Sequence, residues 1–132
     1  DNIFENDFSE ESKRFENSDM GAMFFFKEVP DPTRFGVPTI NEGRLIEIEE
    51  KPEKPKSNLA VTGLYFFDKN VFDFIRNLHP SERGEYEISD VNRQYIQQNR
   101  SKFKIISGFW SDAGTHESRK LAEDYVYNRD LI

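Results

Sequence analysis

The sequence predicts an α/β fold in which a mixed sheet is flanked by helices, and three observations carry that expectation. Apolar runs of strand length alternate with segments of helical spacing, the pattern of layered α/β domains. The turn Asn41-Glu42-Gly43 separates two alternating stretches and so marks a hairpin with one antiparallel pair. Thirteen Phe and five Tyr supply large apolar groups to a chain of 132 residues that is one-third charged, a globular composition rather than a disordered one. That length predicts a single domain, 1–132, with one core.

The elements follow in order. Residues 7–15 read as a short charged surface helix with Phe8 and Phe15 on one side. Residues 22–29 are an aromatic and β-branched run, hence a buried strand, ended by Pro30-Asp31-Pro32. Residues 36–40 and 44–49 are the hairpin strands, with Leu45 on one face and Ile46 and Ile48 on the other; such a hairpin is expected at a sheet edge. Residues 51–58 hold too many prolines and charges for a regular element.

A second buried strand is expected over 59–67. Asp68 or Asn70 then opens a helix with Val71, Phe72, Ile75 and Leu78 at helical spacing, closed by His79-Pro80. After a polar turn over 81–87, Ser89 is placed to cap a helix carrying Val91, Tyr95 and Ile96. Residues 102–109 form the next strand. Thr115 caps the last helix, whose apolar stripe is Leu121, Ala122, Tyr125 and Val126.

Composition also excludes functions. A net charge of −7 argues against nucleic-acid binding, which relies on clustered Lys and Arg. No apolar run has the length of a bilayer-spanning helix, and 1–10 is unlike a secretory signal, so no membrane is expected. The chain has no cysteine, which rules out disulfides and thiolate metal sites and is compatible with the cytoplasm, the expected location.

Several short motifs carry candidate chemistry, each with a plain structural alternative. In Trp110-Ser111-Asp112-Ala113-Gly114-Thr115-His116, Asp112 stands where a strand ends and a helix begins, unpaired by its sequence neighbours. It either holds a divalent cation or merely caps the turn. Glu49-Glu50-Lys51-Pro52 is either a solvated, salt-bridged rim or a site in which Glu50 accepts sugar hydroxyls and Lys51 holds a phosphate. In Val61-Thr62-Gly63-Leu64-Tyr65 the glycine marks close approach, and Tyr65 either reaches a ligand lying over Gly63 or fills the core. Arg83 lies in a loop where its fork clamps a phosphate or pairs with nearby glutamates. Arg34-Phe35-Gly36 and Asp1-Asn2-Ile3-Phe4, taken alone, are a turn and a chain end.

Taken together, these blocks resemble the C-terminal half of sugar-1-phosphate nucleotidyltransferases, the glucose-1-phosphate thymidylyltransferases in particular. The resemblance runs through Asp1-Asn2-Ile3-Phe4, Gly21-Ala22, Asp31-Pro32, Arg34-Phe35-Gly36-Val37, Glu49-Glu50-Lys51-Pro52, Pro55-Lys56-Ser57-Asn58, residues 60–65, Arg83-Gly84-Glu85, Glu87-Ile88, Asp90-Val91-Asn92 and residues 112–116. It implies the C-terminal portion of a Rossmann-like nucleotidyltransferase fold. It also implies Asp1 and Asp112 as Mg²⁺ ligands, Gly36, Glu50, Val61 and Tyr65 as pocket residues, Lys51 and Arg83 as cations on the sugar phosphate, and Trp110 beside the metal aspartate, with Arg34 and Phe35 in the same substrate-binding set. The implied substrates are a sugar 1-phosphate and a nucleoside triphosphate, and the implied reaction makes dTDP-glucose and pyrophosphate from dTTP and glucose 1-phosphate.

Two positions depart from the family's pattern: Phe35 stands where tyrosine is usual and Ala113 where threonine is usual, so each lacks a hydroxyl. A larger difference is that the family's glycine-rich, triphosphate-cradling stretch has no counterpart among the seven glycines. The chain therefore reads as one half of such an enzyme, inactive alone and prone to self-association through uncovered strand faces. The other reading is a non-catalytic sugar-phosphate-binding or oligomerisation module.

Overall fold

A computed structural model describes residues 1–129. Its centre is a three-stranded mixed sheet in the order β5-β2-β6. β2 (Ala22–Glu28) runs antiparallel to β5 (Leu59–Phe67) and parallel to β6 (Ser101–Ile106). Phe24, Phe25 and Phe26 of β2 are completely buried, each contributing about 1.5–3 kcal/mol of apolar transfer. Alternation along the strand sends them to both faces, so both faces need cover.

α1 (Ser9–Glu16) covers the Phe25 face: Phe8, just before the helix, meets the Phe25 ring at 4.9 Å, and Phe15 meets Phe66 at 5.8 Å. Both aromatic residues thus lie on the side the sequence indicates. Glu11 is buried there against the Lys104 ammonium.

Phe24 and Phe26 face the main core, built with Ala22, Leu45, Val71, Val91, Tyr95 and Ile96. α2 (Val71–Arg76) and α3 (Ile88–Gln97) cover this side. The expected stripe of α2 is corrected: Phe72 and Ile75 are exposed, and Phe74 packs instead, edge-on to Tyr95 at 4.8 Å. A six-residue helix has no room for a full stripe, and the Tyr95 ring decides which side faces in. Ser89 does not cap α3. The helix starts two residues earlier, at Ile88 with Glu87 in the cap position, and Ser89 lies within its first turn.

The hairpin forms from β3 (Gly36–Asn41) and β4 (Arg44–Glu50), with Glu42 and Gly43 both at positive φ in a two-residue turn. Its expected facing is corrected: Leu45 and Ile48 both pack against the core while Ile46 is exposed, because the register shifts between Thr39 and Ile40 and leaves Ile46 as an extra residue. The hairpin does not extend the main sheet; it is a separate two-stranded sheet whose Leu45 inserts into the core. The strand expected over 102–109 ends at Ile106, where the Lys27 ammonium is bonded to the carbonyls of Ser107 and Gly108. The chain then enters β7 (Trp110–Ser111), which pairs antiparallel with β1 (Ile3–Phe4).

α4 (His116–Arg129) begins where Thr115 predicts. The Ser118 N–H donates to Thr115 Oγ1 at 3.1 Å, and the Thr115 N–H donates to Ser118 Oγ at 3.0 Å, a reciprocal cap. Of its expected stripe, Ala122 is buried and Tyr125 stacks on Phe109 at 4.0 Å, whereas Leu121 and Val126 are exposed. No helix among the described residues is long and apolar enough to cross a membrane.

Candidate functional site

A cleft of about 400 Å³ gathers residues from six parts of the chain. Asp1 and Asn2 precede β1; Arg34, Phe35 and Gly36 lead into β3; Glu50 ends β4; Val61, Thr62, Gly63 and Tyr65 come from β5; Asn92 comes from α3; Trp110 and Asp112 come from β7 and the turn after it. Of the expected site residues, Asp1, Arg34, Phe35, Gly36, Glu50, Val61, Tyr65, Trp110 and Asp112 all line this cleft. Lys51 and Arg83 do not. Lys51 follows Glu50 with φ +46 and its N–H bonded to the Phe35 carbonyl at 3.0 Å. Arg83 is exposed and paired with Glu85 at 2.8 Å, the glutamate partner that was one of its two expected roles.

Asp112 has a charge partner that its sequence neighbours do not reveal. Arg34 Nη2 lies 3.4 Å from Asp112 Oδ2, across 78 positions of chain. The same guanidinium sits 5.2 Å over the Phe35 ring, which in turn meets the Trp110 ring at 5.4 Å. Asp31 positions this segment: its carboxylate accepts from the Thr33 N–H and hydroxyl and opens the short 3-10 turn Pro32–Arg34, and the hydroxyl bond first, then the N–H, lowers its pKa. Gly114 leaves room for the Asp112 carboxylate, because a Cβ there would stand 2.8 Å from Oδ2.

Gly36 is also a convergence point. A Cβ would meet Glu50 Oε2 and Ile48 at 3.2 Å and Val61 at 3.3 Å, so a larger residue would narrow the cleft at its floor. Tyr65 stands nearby with its pKa raised, mainly by burial and then by the negative charge of Glu50, while the Asn92 carboxamide works the other way. The phenol is therefore neutral at ordinary pH and able to donate.

The space over Gly63 is already taken. Instead of a ligand, the Asn2 carboxamide lies there: its Oδ1 accepts from the Gly63 N–H at 3.0 Å and from the Trp110 indole N–H at 2.8 Å. β5 is irregular here, its register with β2 shifting between Phe24 opposite Tyr65 and Phe26 opposite Val61. The sequence points to the glycine but not to its occupant, because Asn2 and Gly63 are 61 positions apart. Asn92 is likewise missed as a wall residue, although a polar residue between buried Val91 and Tyr95 on an amphipathic helix was a readable signal.

Among the described residues, no group of three or more His, Cys, Asp or Glu side chains is placed to enclose a metal ion. Asp1 and Asp112 are the two aspartates on the cleft wall.

Comparison with known proteins gives a consistent picture. The sequence model of the family described as nucleotidyl transferase matches residues 1–126. A glucose-1-phosphate thymidylyltransferase of Neisseria meningitidis is 46% identical over 130 residues, which is 96% of this chain and 45% of that protein. One of Mycobacterium tuberculosis is 43% identical over 117 residues, 86% of this chain and 40% of that protein. The chain thus spans less than half the length of these curated relatives. Among solved structures, a Bacillus anthracis protein described as a glucose-1-phosphate thymidylyltransferase, in complex with sucrose, superposes with a TM-score of 0.88 at 46% identity, covering 95% of this chain and 51% of that one. A UDP-glucose pyrophosphorylase with UDP-glucose shares the fold at a TM-score of 0.79 and 21% identity, over 97% of this chain and 54% of that one.

Proposed function

This chain belongs to the nucleotidyl transferase family, and from that membership we propose that it supplies the sugar-phosphate side of the active site of a glucose-1-phosphate thymidylyltransferase. The reaction is attack by a phosphate oxygen of glucose 1-phosphate on the α-phosphorus of dTTP. The α–β phosphoanhydride bond breaks, pyrophosphate leaves and dTDP-glucose forms. No protein nucleophile is required, so the protein's task is to align two anions and offset their repulsion.

The observation that carries this reading is the meeting of Asp1, Asp112, Arg34, Gly36, Glu50 and Tyr65 on one cleft. Glu50 accepts hydrogen bonds from sugar hydroxyls, and the neutral Tyr65 phenol donates one. Gly36 keeps the floor open so that the ring can approach the backbone. Two aspartates on an open wall fit Mg²⁺, which is held by one or two carboxylates together with substrate phosphates and water. When bound, that ion supplies neutralising charge to the phosphates. Lys51 and Arg83 are the cations assigned to the sugar phosphate. Both are exposed and neither lines the cleft, so each side chain would have to move to reach the phosphate, and Arg83 would have to leave Glu85.

The test is pyrophosphate release by the complete gene product with glucose 1-phosphate and, separately, dTTP, UTP, CTP and ATP. Release that requires both substrates and is fastest with dTTP is expected. No release with any of the four refutes the reading.

A further inference from the structure

Asn92 is 4% exposed in the second turn of α3, beside buried Val91, Tyr95 and Ile96. A carboxamide has an acceptor oxygen and two N–H donors to satisfy, yet Asn92 Oδ1 has no hydrogen-bond partner. A buried polar atom without a partner costs free energy, and an apolar side chain of the same shape would avoid that cost. Retention of such a group calls for an explanation. Its position offers one: Asn92 lines the same cleft as Gly36, Glu50 and Tyr65, with its carboxamide beside the Tyr65 hydroxyl.

We propose that Asn92 is a specificity-determining residue of this cleft, whose carboxamide pairs with one hydroxyl of the bound sugar. The inference rests on the sugar-phosphate reading above. A hydroxyl is the matching partner because it both donates and accepts. Rotation about the terminal torsion of Asn92 exchanges oxygen and nitrogen within the same volume, so the side chain can present either atom without disturbing its packing.

The experiment is calorimetric titration of the complete gene product with glucose 1-phosphate and with its monodeoxy analogues lacking the 2-, 3-, 4- or 6-hydroxyl. Wild type is compared with Asn92→Leu, Asn92→Ser and Tyr65→Phe, and circular dichroism confirms folding. One analogue is expected to bind wild type about 10- to 100-fold more weakly than the parent sugar, the scale of one buried hydrogen bond. That penalty should shrink to within about threefold in Asn92→Leu and Asn92→Ser while the other analogues keep their ranking, and it should persist in Tyr65→Phe. Should Asn92→Leu prove unfolded, Asn92→Ser gives the same comparison. An unchanged set of penalties in the Asn92 variants overturns the proposal. So does loss of the same penalty in Tyr65→Phe, which would make Asn92 only a support for the phenol. Failure of wild type to bind glucose 1-phosphate at all overturns the sugar-phosphate reading itself, and is told apart because no analogue comparison then arises.

Discussion

Replacing Gly63 with alanine tests whether the Asn2 carboxamide organises the cleft. The added Cβ would stand 2.1 Å from Asn2 Nδ2 and 2.9 Å from its Cγ, far inside contact distance. The backbone at Gly63 is not left-handed, so alanine itself is unstrained there. Because the obstructing atoms end a flexible side chain, Asn2 swings aside rather than the strands separating. Two hydrogen bonds are then lost, from the Gly63 N–H and from the Trp110 indole. Both donors can reach water, so each loss costs about 0.5–1.5 kcal/mol. The smaller conformational freedom of alanine in the unfolded chain offsets about 0.4–1 kcal/mol of this. A net destabilisation of about 0–2.6 kcal/mol follows. Trp110 is the chain's single tryptophan, so its fluorescence reports on this one bond. Gly63→Ala should shift the emission to longer wavelength and increase quenching by acrylamide. Asn2→Ala should produce the same spectrum, and the double variant should add nothing. An unchanged emission in Gly63→Ala, or additive shifts in the double variant, would refute the argument.

Two further outcomes are expected. Asp112→Asn should slow pyrophosphate release on the order of 30- to 1,000-fold, matching about 2–4 kcal/mol for an electrostatic catalytic group, with folding retained; a loss below threefold in steady-state assays would remove Asp112 from the site. Burial raises the Asp68 pKa, but hydrogen bonds from Tyr95 and Arg100 outweigh it and hold the carboxyl below the usual range. Its stabilising contribution is therefore full above the unfolded value of about 3.9 and is lost as pH falls through the lower folded value. Urea midpoints measured between pH 6 and pH 2 should fall less steeply in Asp68→Asn than in wild type, and equal slopes would count against this linkage.

How much was legible in the sequence depends on the range over which each interaction acts. β2, the turn of the hairpin and the Thr115 cap rest on neighbours within a few residues, and there sequence and structure agree; the register shift in the hairpin, which turns Leu45 and Ile48 to the same core, is not written in strict alternation. The inward face of α2 depends on Tyr95, which lies beyond the next loop, and helical spacing alone misplaced Phe72 and Ile75. β6 stops early because Lys27, on the adjacent strand, takes up the carbonyls of Ser107 and Gly108. Motif blocks located nine of the eleven expected site residues on the cleft wall. They could not supply the Arg34–Asp112 pair or the Asn2 bridge, which join segments 78 and 61 positions apart.

The pairing of β1 with β7 has a consequence for the order of folding. The hairpin closes through a two-residue turn, but Ile3 opposite Ser111 and Phe4 opposite Trp110 close a loop that spans most of the chain. Loop-closure entropy rises by about 0.6 kcal/mol with each doubling of length, and this ladder has only two residue pairs to set against it, helped by the Glu5 N–H bond to Phe109 and the Phe4–Phe8 contact. The Phe24–Phe26 core can therefore consolidate while the wall bearing Asp1, Asn2, Trp110 and Asp112 is still open. By the same balance, that wall can part without melting the central sheet, and the local stability of the cleft is set by a short ladder rather than by the domain as a whole.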